Sequence, residues 1–258
     1  MRLLSACLAI GLSVQSAVAN TTVNQLVNVM GVPALIQAFS EEGVGAGETI
    51  NQNFLSGQGG DVWAETVRRL YDPARLEVEL TASLAEVLDA DVASQALLFF
   101  ESEIGAKVIA LEVAARQAMQ NADLEATARA AGAQAGETVV DFLALRNLIE
   151  RNTTAAITAQ TAFFAGLVET SGRADVAPDI QEQRSTIMAE TESWLRGYYA
   201  LIQSPLSADE VAIYTAFWDT DVGKALDDAM FAAFGASYAS LSYGLGQAAG
   251  RLLPQNEL

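Results

Sequence analysis

Residues 99–105 read FFESEIG, and residues 217–223 read FWDTDVG. The second segment follows the first at a distance of 118 residues, and every position is identical or chemically similar in the two. Each segment runs from an aromatic pair through an acid, a hydroxyl residue and a second acid to a glycine. Because self-similarity at a fixed distance indicates an internal repeat, the sequence predicts two related halves.

Each segment has the pattern of a joint between two helices. The first helix ends in the aromatic pair, and the hydroxyl of Ser102 or Thr220 can accept a hydrogen bond from a backbone N–H group that begins the second helix. The glycine one turn later costs about 0.5–1 kcal/mol relative to alanine, and this cost predicts the close approach of another helix. The residues predicted to build the two joints are Phe99, Phe100, Ser102, Gly105, Phe217, Trp218, Thr220 and Gly223.

The rest of the chain favours helix. Alanine occurs 47 times and proline 5 times in 258 residues, and apolar residues recur at spacings of three and four. The pair Asp72-Pro73 predicts a capped helix start, and residues 207–210 have the pattern of a capping box. Residues 137–150 predict a single amphipathic helix with one buried face.

We therefore predict an all-α fold, a compact multi-helix bundle built from two related helical halves. The predicted boundaries are a signal peptide at residues 1–19, a first half at 20–122, a connector at 123–136 and a second half at 137–258. The second half contains the better preserved joint.

The first twenty residues, MRLLSACLAIGLSVQSAVAN, have the order of a secretory signal peptide. A positive charge at Arg2 precedes a short apolar stretch, and an Ala-Val-Ala cleavage pattern ends at Ala19. Residues 4–7 also resemble a lipidation box, but the apolar stretch that should precede Cys7 mostly follows it. We therefore expect cleavage after Ala19 and a periplasmic mature chain, with a lipoprotein as the weaker alternative.

Composition excludes several kinds of chemistry. The chain has 32 acidic and 14 basic residues, no histidine and one cysteine, which gives a formal charge of −18. It therefore lacks imidazole bases, the usual catalytic triads and the usual zinc and haem ligands. Nucleic acids and anionic lipid surfaces require clustered basic residues, so neither is expected as a partner. We also expect no cofactor and no metal site.

Carboxylates are the catalytic side chains in good supply, and pairs of them occur at both joints. Glu101 with Glu103, and Asp219 with Asp221, suit a general acid–base pair or a calcium site. We predict helix capping instead, because helix N-termini attract acids without any further function. The alternative function is a carboxylate-dependent hydrolase acting on cell-wall glycan, with Glu101 as the candidate acid because it follows two aromatic residues.

Three further features have a structural and a functional interpretation. Trp194, Tyr198 and Tyr199 lie at helical spacing and are predicted to be core, with an apolar pocket as the alternative. Residues 229–250 carry no charge over 22 positions, which is the length of a membrane span, but strongly apolar residues are too few to drive insertion. We predict a buried or partner-packed helix there. The remaining acidic pairs, predicted to lie on solvated faces, are Asp89 with Asp91 and Asp227 with Asp228.

The joint at residues 217–224 resembles a motif of a bacterial family of exported proteins called domain of unknown function 2059. Family members carry Phe-Tyr-x-Ser/Thr-Pro-x-Gly-Lys/Gln at this turn, and the chain fits this pattern from Phe217 to Lys224 except that Asp221 stands in the proline position. The resemblance implies an exported helical domain and brings no catalytic residue. We expect a non-catalytic interaction or binding module whose partner is an envelope protein or a small apolar ligand.

Overall fold

The computed structural model describes residues 21–253. Within this range the chain forms α-helices joined by short turns, and no β-strand occurs. The predicted all-α class is thereby confirmed. The predictions of a signal peptide and of a lipidation site concern residues 1–20, which lie outside the described residues.

The helices pack around one continuous hydrophobic core. The longest of them, α12, has 32 residues and contacts α2, α3, α4, α5, α9 and α11. It is therefore the central element of the bundle. The helices are α1 at residues 21–29, α2 Val32–Phe54, α3 Gly60–Leu70, α4 Pro73–Val87, α5 Ala90–Phe100, α6 Glu103–Ala118, α7 Ala122–Gly132, α8 Glu137–Leu145, α9 Leu148–Ser171, α10 Arg184–Gln203, α11 Ala208–Asp219 and α12 Asp221–Leu252, with a 3-10 turn at Ala174–Val176.

Two helix starts agree with the sequence. The side chain of Asp72 accepts a hydrogen bond from the backbone N–H of Arg75 at 2.8 Å, and α4 begins with the proline that follows. Ser207 and Glu210 form a reciprocal capping box at the start of α11. Both ends satisfy backbone donors that a helix N-terminus otherwise leaves without partners.

The single helix predicted for residues 137–150 is wrong. The chain forms two helices there, α8 and α9, separated by a turn at Arg146 and Asn147. Asn147 has φ 49°, in the left-handed region that asparagine tolerates better than most residues. Both helices bury apolar residues in the same core, so the apolar spacing continues across the break and does not reveal it.

Phe234, Tyr238 and Tyr243 of the uncharged segment 229–250 are exposed, so the prediction of a buried helix is correct for only one face of this segment. It belongs to α12, which runs in the same direction as α9 and lies backbone to backbone against it. A Cβ at Gly246 would overlap the carbonyl oxygen of Phe163, and a Cβ at Gly166 would overlap that of Tyr243. Among the helices of residues 21–253, none combines the length and the hydropathy needed to cross a membrane.

The order of helices around the two joints repeats along the chain. α5 and α11 begin at Ala90 and Ala208, and α6 and α12 begin at Glu103 and Asp221, in both cases 118 residues apart. α12 packs against α4 and α5, while α6 packs against α10 and α11. The helix that follows each joint therefore packs against the two helices that precede the other joint. α7 covers most of the predicted connector at 123–136 and packs against α10.

Candidate functional site

The two joints have the same local geometry. Ser102 caps α6 by accepting from the backbone N–H of Gly105 at 3.1 Å, and Thr220 caps α12 by accepting from that of Gly223 at 3.0 Å. The backbone angles of the two capping residues are φ −69°, ψ 162° and φ −71°, ψ 159°. The predicted caps are confirmed.

The glycines of the joints lie against the last turn of the preceding helix. A Cβ at Gly105 would overlap the carbonyl oxygen of Phe99, and a Cβ at Gly223 would overlap that of Phe217. The predicted close approach is therefore present, and it comes from the helix on the other side of the same joint. Any larger residue would push the two helices apart.

The joints also contact each other across the bundle. The rings of Phe99 and Phe217 stack with 3.9 Å between centroids and 5° between planes. Phe100 packs edge-on against Phe217 at 5.2 Å and lies 6.1 Å from Trp218. The structure thus brings the four aromatic residues of the two joints into one cluster, a contact that the sequence did not predict.

The acids at the joints lie on the surface. Glu101, Glu103, Asp219 and Asp221 are all exposed, and Lys224 forms an ion pair with Asp219 at 2.7 Å. Within residues 21–253, no group of three or more acidic or thiol side chains is arranged to hold a metal ion. Exposed acids in these positions fit a role in helix capping better than a role in catalysis.

A cavity of about 730 Å³ lies between α2, α4, α9, α10 and α12 and is partly open to solvent. Its volume falls in the range of small-molecule sites in proteins, roughly 300–1,000 Å³. Most of its lining is apolar or aromatic. The large apolar residues of the lining are Leu35, Ile36, Phe39, Leu76, Leu80, Leu148, Trp194, Leu195, Tyr198, Tyr199, Met230, Phe231, Phe234, Tyr238 and Leu241.

One wall of the cavity is aromatic and cationic. Trp194 and Tyr198 of α10 stack with 5.0 Å between ring centroids, and the guanidinium of Arg116 from α6 lies 5.1 Å from the Trp194 ring. Tyr198 is buried and Trp194 is partly buried. The core prediction for Tyr198 and Tyr199 is confirmed, and all three aromatic residues also line the cavity.

A second wall is formed by α4 and α12. It is apolar at the positions that lie 118 residues from Trp194, Tyr198 and Arg116. Three residues on each wall correspond to each other at the same distance of 118 positions that separates the joints. The pairs are Leu76 and Trp194, Leu80 and Tyr198, and Arg116 and Phe234. At these three pairs of positions the two walls therefore differ in chemistry.

A buried ion pair closes one side of the cavity. Arg146, at the turn between α8 and α9, lies 2.5 Å from Asp227 of α12, and their side chains are 8% and 5% exposed. The prediction that Asp227 lies on a solvated face is wrong, although Asp228 is exposed. The Arg146 guanidinium also lies 3.6 Å from the Trp218 ring centroid. Burial lowers the pKa of Arg146, but Tyr199 and Asp227 together raise it above its ordinary value.

Glu112 is a second polar centre, partly buried behind the aromatic wall. The hydroxyl of Tyr214 donates to its carboxylate, and the hydroxyl of Tyr198 donates to its backbone carbonyl oxygen at 3.1 Å. Burial raises the pKa of the Glu112 carboxyl, while Tyr214 and Arg146 oppose this effect. The carboxyl does not line the cavity. Its contacts with Tyr198 and Tyr214 join α6 to α10 and α11.

Sequence reasoning missed Arg116, Arg146 and Asp227. One signal was available for Arg146, which interrupts an apolar stretch and must find a partner if that stretch is buried. Nothing local identifies Asp227 as this partner, because 81 positions separate the two residues. Arg116 lies in an ordinary alanine-rich helix, so only the packing of α6 on α10 reveals its position at the cavity.

The fold and the cavity thus define an all-α protein with an apolar, ligand-sized cavity. Comparison of the chain with protein-family models, curated proteins and solved structures gave no match. The resemblance of residues 217–224 to the family of exported proteins stays a prediction.

Proposed function

We propose that this chain is an exported helical binding protein of the bacterial envelope and that it holds a small apolar ligand in the cavity. The observation that carries the proposal is the cavity itself, with its volume of about 730 Å³ and its mainly apolar and aromatic lining. Small-molecule sites combine such a lining with a few polar groups. Export rests on the signal-peptide pattern of residues 1–20 and on the family resemblance at residues 217–224.

We further propose that the chain consists of two related helical halves that enclose this cavity. The matching joints, the helix starts 118 residues apart and the reciprocal packing of α6 and α12 support the proposal. Leu76 and Leu80 of α4 line the cavity, and so do Trp194 and Tyr198 of α10, which lie 118 positions later. A binding site between two related halves is a common arrangement, because such interfaces leave concave surfaces.

The hydrolase alternative has weaker support. Glu101 and Asp219 are exposed and lie outside the cavity. Glu112 has the raised pKa that a catalytic acid needs, but its carboxylate accepts from Tyr214 and does not line the cavity. Binding without catalysis therefore fits the geometry better.

The proposal is tested with a neutral, environment-sensitive dye, N-phenyl-1-naphthylamine, and a variant that fills the cavity. Gly235 lines the cavity, and a Cβ added there meets no atom within 4 Å. Gly235→Phe adds a ring at this open position of the lining and should remove at least 90% of the dye fluorescence enhancement. Its stability should not fall, because glycine is a poor residue inside a helix.

The matched control is Gly45→Phe. Gly45 lies on the exposed face of α2 and likewise has no neighbour within 4 Å of an added Cβ, but it does not line the cavity. Dye binding should be unchanged in this variant. If the wild-type chain gives no enhancement, or if both variants bind as the wild type does, the cavity is not a ligand site.

A further inference from the structure

The cavity reverses the charge balance of the chain. The whole sequence has 32 acidic residues against 14 basic ones. Among the cavity-lining residues, arginines outnumber carboxylates by three to two. The lining charges are Arg116, Arg129 and Arg146 with Glu190 and Asp227. Scarce cations are therefore concentrated at an otherwise apolar surface, which favours an anionic group on the ligand.

All three arginines contact α10, and Arg146 also pairs with Asp227 of α12 at 2.5 Å. The lining contributed by Leu76, Leu80 and Phe234 is apolar. The cavity therefore has a cationic part at α10 and an apolar part at these three residues. The contacts of the arginines with α10 are Arg129 to the carbonyl oxygen of Glu190 at 3.3 Å, Arg116 over the ring of Trp194 at 5.1 Å, and Arg146 to the hydroxyl of Tyr199 at 3.3 Å.

The carboxylate that neutralises Arg116 comes from outside the cavity, because Arg116 pairs with Glu42, which does not line it. Arg129 pairs with Glu125 at 2.7 Å and also with the cavity-lining Glu190 at 3.4 Å. A guanidinium has five N–H donors, and Arg116 uses one nitrogen on Glu42. Donors therefore remain for an anion that approaches from the cavity, where charge-assisted hydrogen bonds are strong.

We propose that the ligand is a single-chain amphiphile with an anionic head group, either a carboxylate or a phosphate monoester. The head group binds at Arg116, and the apolar chain lies against Leu76, Leu80 and Phe234. This inference rests on the proposed function and names the class of ligand. It assigns a recognition role to Arg116, whose ion pair alone would suggest only surface stabilisation.

The experiment compares amphiphiles that share one chain and differ in the head group. Binding of dodecanoate, dodecyl phosphate, dodecanol and dodecylammonium to the wild-type chain is measured by calorimetry below their micelle concentrations. At least one of the two anions should bind about tenfold or more tightly than the alcohol, which corresponds to one charge-assisted hydrogen bond. The cation should bind more weakly than the alcohol. The preferred anion identifies the head group.

Arg116→Gln should remove this preference by weakening anion binding about tenfold while leaving the affinity for dodecanol unchanged. The matched control is Arg196→Gln, because Arg196 lies on α10 in a similar pair with Glu192 at 2.6 Å but does not line the cavity. Its affinity for both ligands should equal that of the wild type.

The outcomes separate this inference from the proposed function. Equal affinity for anions and alcohol, with binding blocked by Gly235→Phe, overturns the anionic head group and leaves the apolar site intact. Absence of binding for every amphiphile and for the neutral dye overturns both. An equal loss of anion affinity in the Arg116 and Arg196 variants would show a general charge effect and would also overturn the assignment.

Discussion

Asp227 and Asp228 are adjacent in the sequence and occupy opposite environments. The side chain of Asp227 is 5% exposed and lies between Arg146 and Arg151, whereas that of Asp228 is 75% exposed. A buried charge is tolerated when a partner compensates for its lost hydration. Asp227 therefore fixes the position of Arg146, and with it one side of the cavity.

Asp227→Asn should lower the free energy of unfolding by roughly 3–5 kcal/mol, because it leaves the buried guanidinium of Arg146 without its counter-charge. Asp228→Asn should change it by at most about 1 kcal/mol, since an exposed ion pair contributes little. Urea denaturation of both variants measures the difference. Equal effects of the two substitutions would contradict the burial of the Arg146–Asp227 pair.

Glu112 makes stability depend on pH in a defined direction. Burial raises the pKa of its carboxyl above the ordinary 4.5, so the folded state binds more protons than the unfolded state between pH 4.5 and the raised value. The contribution of Glu112 to the free energy of unfolding therefore falls as the pH rises through that interval.

Glu112→Gln should remove this contribution and flatten the dependence of stability on pH above 4.5. The glutamine oxygen can still accept from Tyr214, so the hydrogen bond that joins α6 to α11 is preserved. Denaturant unfolding at a series of pH values provides the measurement. A variant whose pH profile coincides with that of the wild type would show that the carboxyl is not desolvated.

At the scale of elements, the joints show why glycine occurs at the same place twice. Gly223→Ala should lower the free energy of unfolding by roughly 1–3 kcal/mol, because the added methyl group overlaps the carbonyl oxygen of Phe217. Gly45→Ala, in the open middle of α2, should raise it by up to about 1 kcal/mol. Thermal unfolding compares the two, and stabilisation by both substitutions would exclude a tight joint.

Local signals predicted helix starts better than helix continuity. The caps at Asp72, Ser102, Ser207 and Thr220 were all evident from residue type, because a capping side chain satisfies backbone groups two or three residues away. The turn between α8 and α9 was not evident. Its position depends on where two helices find room in the core, and that information lies outside residues 137–150.

At the scale of the whole molecule, α4 and α10 both contribute to the lining of one cavity. α12 packs against α4, and α6 packs against α10. The two contributions differ in chemistry, as Leu76 of α4 and Trp194 of α10 illustrate.

The sequence by itself determined the helical class, the capped helix starts and the two glycine joints, because these depend on interactions within a few residues. Only the tertiary structure decided that the joints stack on each other, that Asp227 is buried against Arg146, and that Arg116 reaches the cavity. These contacts join residues tens of positions apart. They arise from the packing of whole helices, which no local pattern specifies.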